Sequence, residues 1–211
     1  MNNWLDFYKK TYYPLLNATL SGAKRGLHEG LGQRADGFKL MFELLLQKQR
    51  TRYHVIETGT CRNPGNWKDG QSAVIFTDFV KHTGGWVRSV DIDATACDRA
   101  RSHITSDLFS VTCSDSVSWL KQQSDLADVD LFYLDSYDVK WANDTNSAAH
   151  HLQEFQTIEK HIVAGTIVAI DDNARFLDSG RRTGKGRMIV EYLESKGIQP
   201  VYDAYQIIYQ I

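Results

Sequence analysis

From residue 54 onward, short apolar runs alternate with stretches of helical periodicity, and this alternation constrains the fold more than any other feature of the chain. The apolar runs lie at 54–57, 86–91, 109–113, 129–135 and 166–171. Short apolar runs of this kind are typical of buried strands, and strands that alternate with helices form parallel sheets. We therefore predict an α/β fold built on a doubly wound, mostly parallel sheet.

The segments between and after these runs complete the prediction. Helical periodicity is found at 72–81, at about 94–103, around Trp119 and Leu120, at 147–162 and at 188–196. Two β-rich runs, 199–202 and 206–211, end the chain. We expect these last two runs to form an antiparallel hairpin at the sheet edge, which makes a seven-stranded, Rossmann-like sheet.

The first 50 residues are predicted to be helical, so we divide the chain into an N-terminal helical segment (1–50) and a sheet domain (51–211). An apolar stripe with helical spacing, preceded by Asp36 as a candidate N-cap, runs through Phe38, Met41, Phe42, Leu45 and Leu46. Such a helix covers one face of the sheet. Alternatively, the aromatic residues at 4, 7, 8, 12 and 13 form a substrate lid or the surface of a homodimer.

Cysteine content and charge exclude several classes of protein. The 3 cysteines are widely spaced without a CxxC pair, which argues against a disulfide framework or a cysteine zinc site. No apolar run approaches the length of a membrane span, and the first ten residues lack the apolar core of a signal peptide. With a net charge of −2 and no basic platform, we expect a soluble, cytoplasmic protein that binds neither membranes nor nucleic acid.

Acidic residues mark the end of each of the first five predicted strands. They are Glu57, Asp91, Asp115, Asp135 and the pair 171–172. In an open α/β sheet, ligands bind beyond the carboxyl ends of the strands, so we expect these acids to surround one crevice. Carboxylates there can bind ribose hydroxyls, an amino group, a sulfonium centre or a metal, but they repel a bare phosphate.

The turn after the first strand argues against a dinucleotide or nucleoside triphosphate. It reads Glu57-Thr58-Gly59-Thr-Cys61 and lacks the second and third glycines of GxGxxG. The glycine-rich segment 180–186 has the wrong spacing for a phosphate-binding P-loop and follows the fifth strand rather than the first.

With these motifs, the chain resembles the class I S-adenosylmethionine (SAM) methyltransferases over roughly residues 40–211. Glu57-Thr58-Gly59 is similar to the acid-x-Gly turn that holds the methionine part of the cofactor, and Gly70-Gln-Ser72 to the start of the following helix. A longer loop at 61–69 departs from the family pattern. The resemblance also implies that Asp91 binds the ribose hydroxyls, that Ser114 and Asp115 contact adenine, and that Asp135 borders the cofactor.

Within that family, the chain resembles the metal-dependent O-methyltransferases of the catechol and macrolide-sugar type. The resemblance implies Mg²⁺ ligands at Asp135, Asp172 and Asn173, whose hard oxygens suit this ion. It implies transfer of the SAM methyl group to a hydroxyl of a small molecule held on the metal. As general base we name Asp138 first and Lys140 second, with His150 or His151 third.

Two other functions remain open from the sequence. One is an enzyme with this fold and different chemistry, such as the hydroxylases that resemble this family, and the other is a SAM-fold binding module without catalysis. A run of basic residues after the fifth strand is either a solvated loop or a site for an acidic substrate. These residues are Arg175, Arg181, Arg182, Lys185 and Arg187.

Overall fold

The computed structural model describes residues 3–17, 34–67 and 71–211. The strands are β1 (Tyr53–Thr58), β2 (Gly85–Asp91), β3 (Phe109–Cys113), β4 (Leu131–Leu134), β5 (Ile167–Ile170), β6 (Asn173–Arg175), β7 (Arg182–Gly184), β8 (Tyr202–Asp203) and β9 (Ile207–Gln210). The helices are α1 (Trp4–Thr11), α2 (Tyr13–Asn17), α3 (Arg34–Gln47), α4 (Ser72–Thr83), α5 (Ala94–His103), α6 (Ser116–Gln122), α7 (Thr145–Glu159) and α8 (Arg187–Glu194).

Seven strands form one sheet in the order β3-β2-β1-β4-β5-β9-β8. The first five strands of this order are parallel, whereas β9 pairs antiparallel with both β5 and β8. This confirms the predicted doubly wound, mostly parallel sheet with an antiparallel C-terminal hairpin. The chain reverses its direction across the sheet between β1 and β4, and the crevice at such a point is where open α/β sheets bind ligands.

The central strands are apolar along their whole length because helices cover both faces of the sheet. Every residue of β4 (LFYL) and β5 (IVAI) is buried, as expected for parallel strands between two helical layers. One core cluster lies on the side of α1, α3 and α4, and the other lies on the side of α6, α7 and α8.

The N-terminal helices pack their apolar residues inward. The Trp4 ring lies 5.1 Å from the Phe42 ring and 5.5 Å from the Phe79 ring, so α1 is joined to α3 and α4 through the core. Helix α3 includes Arg34, two residues before the predicted cap. Asp36 therefore lies in its first turn, and its carboxylate accepts a hydrogen bond of 2.8 Å from the Tyr13 hydroxyl.

The basic segment after β5 was predicted as a loop, and the structure instead forms the short antiparallel hairpin β6–β7. Its strands have three residues each and no alternating apolar pattern, so periodicity could not indicate them. Among the helices that the structure describes, none combines the length and the apolar character needed to cross a bilayer.

Candidate functional site

The turn after β1 is packed tightly against the end of β4. Gly59 has a φ of +86°, and its amide donates a hydrogen bond of 2.8 Å to the Val90 carbonyl. A Cβ atom on Gly59 would lie only 2.6 Å from the carbonyl oxygen of Asp135. Both the backbone conformation and the close approach therefore require glycine here.

Glu57 is a buried acid behind this turn. Its side chain is 1% exposed, and Oε2 accepts a hydrogen bond of 2.5 Å from the Ser89 hydroxyl. The other carboxylate oxygen, Oε1, is buried and has no hydrogen-bond partner among the described residues. Burial raises the pKa of Glu57 to about 8; the Ser72 and Ser89 side chains oppose this shift, and the nearby Asp135 and Asp91 charges add to it.

Asp91 joins the ends of β1, β2 and β3. Its two carboxylate oxygens accept hydrogen bonds from the amides of Thr60 (3.1 Å) and Asp93 (2.8 Å). The Ser114 amide donates a hydrogen bond of 2.9 Å to the Asp91 carbonyl. Partial burial raises the pKa of the Asp91 carboxyl. Because two main-chain amides hold the Asp91 carboxylate, the remaining lone pairs of its oxygens have a defined direction.

A cavity of about 200 Å³ opens next to Asp91. It is lined by Val90, Asp91, Ile92, Asp115, Ser116, Ser136, Tyr137 and His150. Asp115 is the N-cap of α6, where it accepts a hydrogen bond of 2.8 Å from the Ser118 amide. The Ser118 side chain and this amide bond lower the pKa of Asp115. The cavity is thus lined by both apolar and polar side chains.

Glu154, which the sequence analysis did not select, holds one wall of this cavity in place. Its carboxylate is fully buried and accepts hydrogen bonds from the hydroxyls of Thr58 (3.1 Å), Ser116 and Ser136 (2.7 Å). His150 Nε2 lies 3.3 Å from the same carboxylate, and Glu154 raises the pKa of His150. One acid therefore connects the ends of β1 and β4 with the start of α6.

We expect the substitution Glu154→Gln to destabilise the protein by about 2 kcal/mol near neutral pH, because an amide cannot accept all of these hydrogen bonds. Burial alone would raise the pKa of Glu154, but the two histidines and the hydroxyl donors hold it below its usual range. Its contribution is therefore present above the unfolded pKa and is lost as the pH falls through the folded value.

Urea denaturation of the Glu154 variant at neutral and acidic pH measures this effect. Glu159→Gln is the matched control, because Glu159 lies on the same helix in a partly exposed pair with Lys196. If the two variants have equal stability at neutral pH, the role assigned to Glu154 is incorrect.

The predicted metal ligands Asp135 and Asp172 lie close together, with a lysine between them. The ammonium of Lys185 donates hydrogen bonds to Asp135 Oδ1 and to the Asp135 carbonyl (3.2 Å), and its Nζ lies 2.9 Å from Asp172 Oδ2. Burial alone would lower the pKa of Lys185, but the two carboxylates raise it well above its usual value. Burial raises the pKa of Asp135, whereas Lys185 and Arg34 hold that of Asp172 below its usual range.

The third predicted ligand, Asn173, is directed away from this position. Its side-chain amide donates to the carbonyls of Ile170 (2.9 Å) and Asp171 (3.0 Å), and its Oδ1 accepts a hydrogen bond of 2.7 Å from the Gly186 amide. In the described part of the chain, no group of three or more His, Cys, Asp or Glu side chains could hold a metal ion. The side chains in this arrangement therefore do not form the Mg²⁺ site that the sequence predicts.

Comparison with solved structures identifies the fold. The chain is similar to the methyltransferase domain of METTL16, with a TM-score of 0.56 and 12% identity over 85% of this chain and 68% of that chain. It is also similar to MycE, a methyltransferase of mycinamycin biosynthesis solved with Mg and SAH, with a TM-score of 0.52 and 15% identity over 83% of this chain.

The chain has the SAM-dependent methyltransferase fold. A second MycE structure, in complex with Mg, SAH and mycinamycin VI, gives a TM-score of 0.52 at 13% identity over 82% of this chain. The chain spans about half the length of these MycE chains, 48% and 49%. No protein-family model and no curated protein sequence matches the chain.

The methyltransferase fold places most of the predicted cofactor residues around one crevice. Thr58 ends β1 and Gly59 follows it, Asp91 ends β2, and Ser114 and Asp115 follow β3. Ser72 is the first residue of α4 and is buried, whereas Gly70 lies outside the described residues. The positions agree with the predicted roles, which remain predictions for each residue.

The first two predicted general bases, Asp138 and Lys140, lie at the surface of this fold. Asp138 is exposed and forms a salt bridge of 2.9 Å with Arg62, which joins the loops after β4 and β1. Lys140 is also exposed. His151 is fully buried, and burial lowers its pKa to about 4, so it is neutral near pH 7. The base assignments therefore stay predictions.

The basic residues after β5 are engaged within the fold. Arg175 and Arg182 pair with Asp203, Arg187 pairs with Asp144, and Arg181 lies over the Phe176 ring. Lys185 is buried between Asp135 and Asp172. The segment is a folded hairpin with internal ion pairs rather than a solvated cationic loop.

Proposed function

We propose that the protein is an enzyme that transfers a methyl group from SAM to a hydroxyl oxygen of a small molecule. The buried Glu57 Oε1, which has no hydrogen-bond partner among the described residues, is the observation that carries this proposal. A buried carboxylate oxygen without a partner costs free energy unless a ligand satisfies it. The cationic amino group of SAM is a suitable ligand, because it supplies both a donor and an opposite charge.

The surrounding residues fit the other parts of the same cofactor. Asp91 has carboxylate lone pairs available for two adjacent ribose hydroxyls, which are donors. The cavity between Ile92, Asp115 and Tyr137 suits the adenine ring. The close packing at Gly59 lets the main chain approach the methionine part. These three contacts follow the order of the cofactor's own parts along the carboxyl edge of the sheet.

When bound, SAM supplies an electrophilic methyl group on a sulfonium. The chain's task is to hold the acceptor hydroxyl in line with that methyl group and to take up its proton. In the proposed step, the acceptor oxygen would bond to the methyl carbon as the bond between sulfur and that carbon breaks. The hydroxyl proton would pass to a carboxylate, for which we propose Asp135 in place of the exposed Asp138. The Asp135 side chain is 24% exposed at the crevice, so it is accessible to a substrate.

The magnesium ion expected from the sequence is not part of this proposal. Lys185 lies between two of the predicted ligands, and the third is bonded to the main chain. The reported Mg belongs to the MycE structures, whereas in the present site Lys185 lies between the two carboxylates.

Methyl transfer is tested by incubating the protein with SAM and a panel of phenols and sugars, with product mass as the readout. We expect at least one product heavier by one methylene group, together with S-adenosylhomocysteine. Products altered in another way would favour the enzyme of different chemistry. Binding of S-adenosylhomocysteine without turnover across the panel would favour the binding module.

A paired substitution tests the ribose contact. Asp91→Asn should weaken S-adenosylhomocysteine binding by about 30-fold, because the single oxygen of an amide cannot accept two main-chain and two ribose hydrogen bonds. Asp93→Asn removes the same charge two residues away, and asparagine still caps α5, so its affinity should stay within about twofold of wild type. Equal affinities in calorimetry would contradict the assignment of Asp91.

A further inference from the structure

Lys185 lies where the sequence predicts a divalent cation, and the main chain of the β6–β7 hairpin fixes it there. The Lys185 amide donates a hydrogen bond of 3.1 Å to the Asp172 carbonyl, and the Gly186 amide binds Asn173 Oδ1 at 2.7 Å. A Cβ on Gly184 would lie 2.2 Å from the Asp172 carbonyl oxygen, so glycine is needed for this close approach. The backbone of the hairpin thus places the Lys185 side chain between the carboxylates of Asp135 and Asp172.

The ammonium group is fully engaged by the protein. Its three acceptors are the Asp135 carboxylate, the Asp135 carbonyl and the Asp172 carboxylate, which match its three N–H donors. Its side chain is 1% exposed. Lys185 therefore cannot bind a substrate oxygen, and it orients the two carboxylates as a bound cation would.

The formal charges around Lys185 also favour a monovalent cation over a divalent ion at this position. Arg34 and Lys185 face the carboxylates of Asp135, Asp171 and Asp172, which leaves one negative charge. A sulfonium carries one positive charge, so the cluster and the methyl donor are neutral together. Adding a divalent ion beside Lys185 would make the cluster positive and would oppose sulfonium binding.

We propose that Lys185 replaces the divalent metal as a built-in counter-ion, so that the site positions Asp135 and supports methyl transfer without a metal ion. Lys185 is a positioning residue in this scheme, because it acts through Asp135 rather than on the substrate. The claim that methyl transfer needs no metal ion rests on the proposed function, whereas the claim that Lys185 excludes a metal ion does not.

Manganese binding, followed by the electron paramagnetic resonance signal of free Mn²⁺, tests the exclusion directly. Wild type should bind no stoichiometric Mn²⁺ at millimolar concentration. Lys185→Ala leaves two carboxylates facing an open space and should bind one ion per chain, and Lys185→Ala combined with Asp172→Asn should lose it. Lys48→Ala is the matched control, because Lys48 also pairs with a buried acid, Asp130, at the opposite edge of the sheet.

Stoichiometric Mn²⁺ binding by wild type that Asp172→Asn abolishes would overturn the proposal, even if the lysine variants do not fold. A folded Lys185→Ala protein that binds no more Mn²⁺ than wild type would also count against it. Titration of wild type with S-adenosylhomocysteine, with and without EDTA, separates the two proposals. Equal affinities for S-adenosylhomocysteine with and without EDTA support metal-free binding. No binding at all contradicts the proposed function but does not affect the conclusion from manganese binding.

Discussion

Glu57→Gln is expected to increase the free energy of unfolding by about 4 kcal/mol near pH 9, while it weakens cofactor binding. Burial raises the pKa of Glu57 from 4.5 to about 8. The folded state therefore disfavours the ionised carboxylate, so wild type loses stability as the pH rises from the unfolded pKa through the folded pKa. Glutamine carries no charge to bury and keeps an acceptor for Ser89.

Urea denaturation at about pH 5 and about pH 9 measures this change. Glu43→Gln is the control, since Glu43 is a partly exposed acid paired with Lys39 on a helix surface. The Glu57 variant should gain stability relative to wild type only at the higher pH. If the free energies of unfolding of wild type and Glu57→Gln differ by the same amount at both pH values, the Glu57 carboxylate is not a destabilising buried charge.

The same substitution should reduce the affinity for S-adenosylhomocysteine by about 30-fold or more, because the amino group loses its anionic partner. An increase in stability combined with a loss of binding is typical of a residue retained for function at the expense of stability. In wild type, binding should strengthen as the pH rises towards 8, because the ligand requires the ionised carboxylate.

Gly59→Ala is expected to cost about 3 kcal/mol of stability and to remove cofactor binding. The added methyl group would lie 2.6 Å from the Asp135 carbonyl oxygen, so the end of β4 must move. That movement would displace both Asp135 and Lys185, which donates to the same carbonyl oxygen.

Gly65→Ala provides the matched control for Gly59. Gly65 has a φ of +80°, similar to the +86° of Gly59, but a Cβ there meets no described atom within 4 Å. Gly65→Ala should lose only about 1 kcal/mol of stability, because alanine disfavours a positive φ, and it should still bind the cofactor. Urea denaturation measures both variants. If Gly59→Ala and Gly65→Ala lose the same stability, the close approach of Gly59 to the Asp135 carbonyl does not contribute to the cost.

The strands could be predicted because their pattern is local. β3 (FSVTC) was predicted at its observed bounds. β4 and β5 were predicted within a few residues, because LFYL and IVAI are continuous apolar runs between polar turns. The parallel, doubly wound character of the sheet followed from the alternation of strands with helices. The β6–β7 hairpin could not be predicted, since its pairing depends on hydrogen bonds between short polar segments rather than on buried apolar surface.

The site was predictable only where one residue could be placed by the end of its own strand. Asp91 and Asp135 were selected in this way, and their roles stay predictions. The lysine bound to Asp135 is 50 residues further along the chain, and nothing local to Lys185 indicates that contact. Glu154 carried a weak local signal, because it lies one position before Phe155 on the buried face of α7, where an acid requires partners.

The central claim is that the carboxyl edge of this sheet binds SAM without a metal ion. Calorimetric titration of wild type with S-adenosylhomocysteine in the presence of EDTA tests it most directly. We predict binding of one molecule per chain, with an affinity that EDTA does not change and that Asp91→Asn lowers. Absence of binding, or binding that EDTA abolishes and Mg²⁺ restores, would contradict the claim.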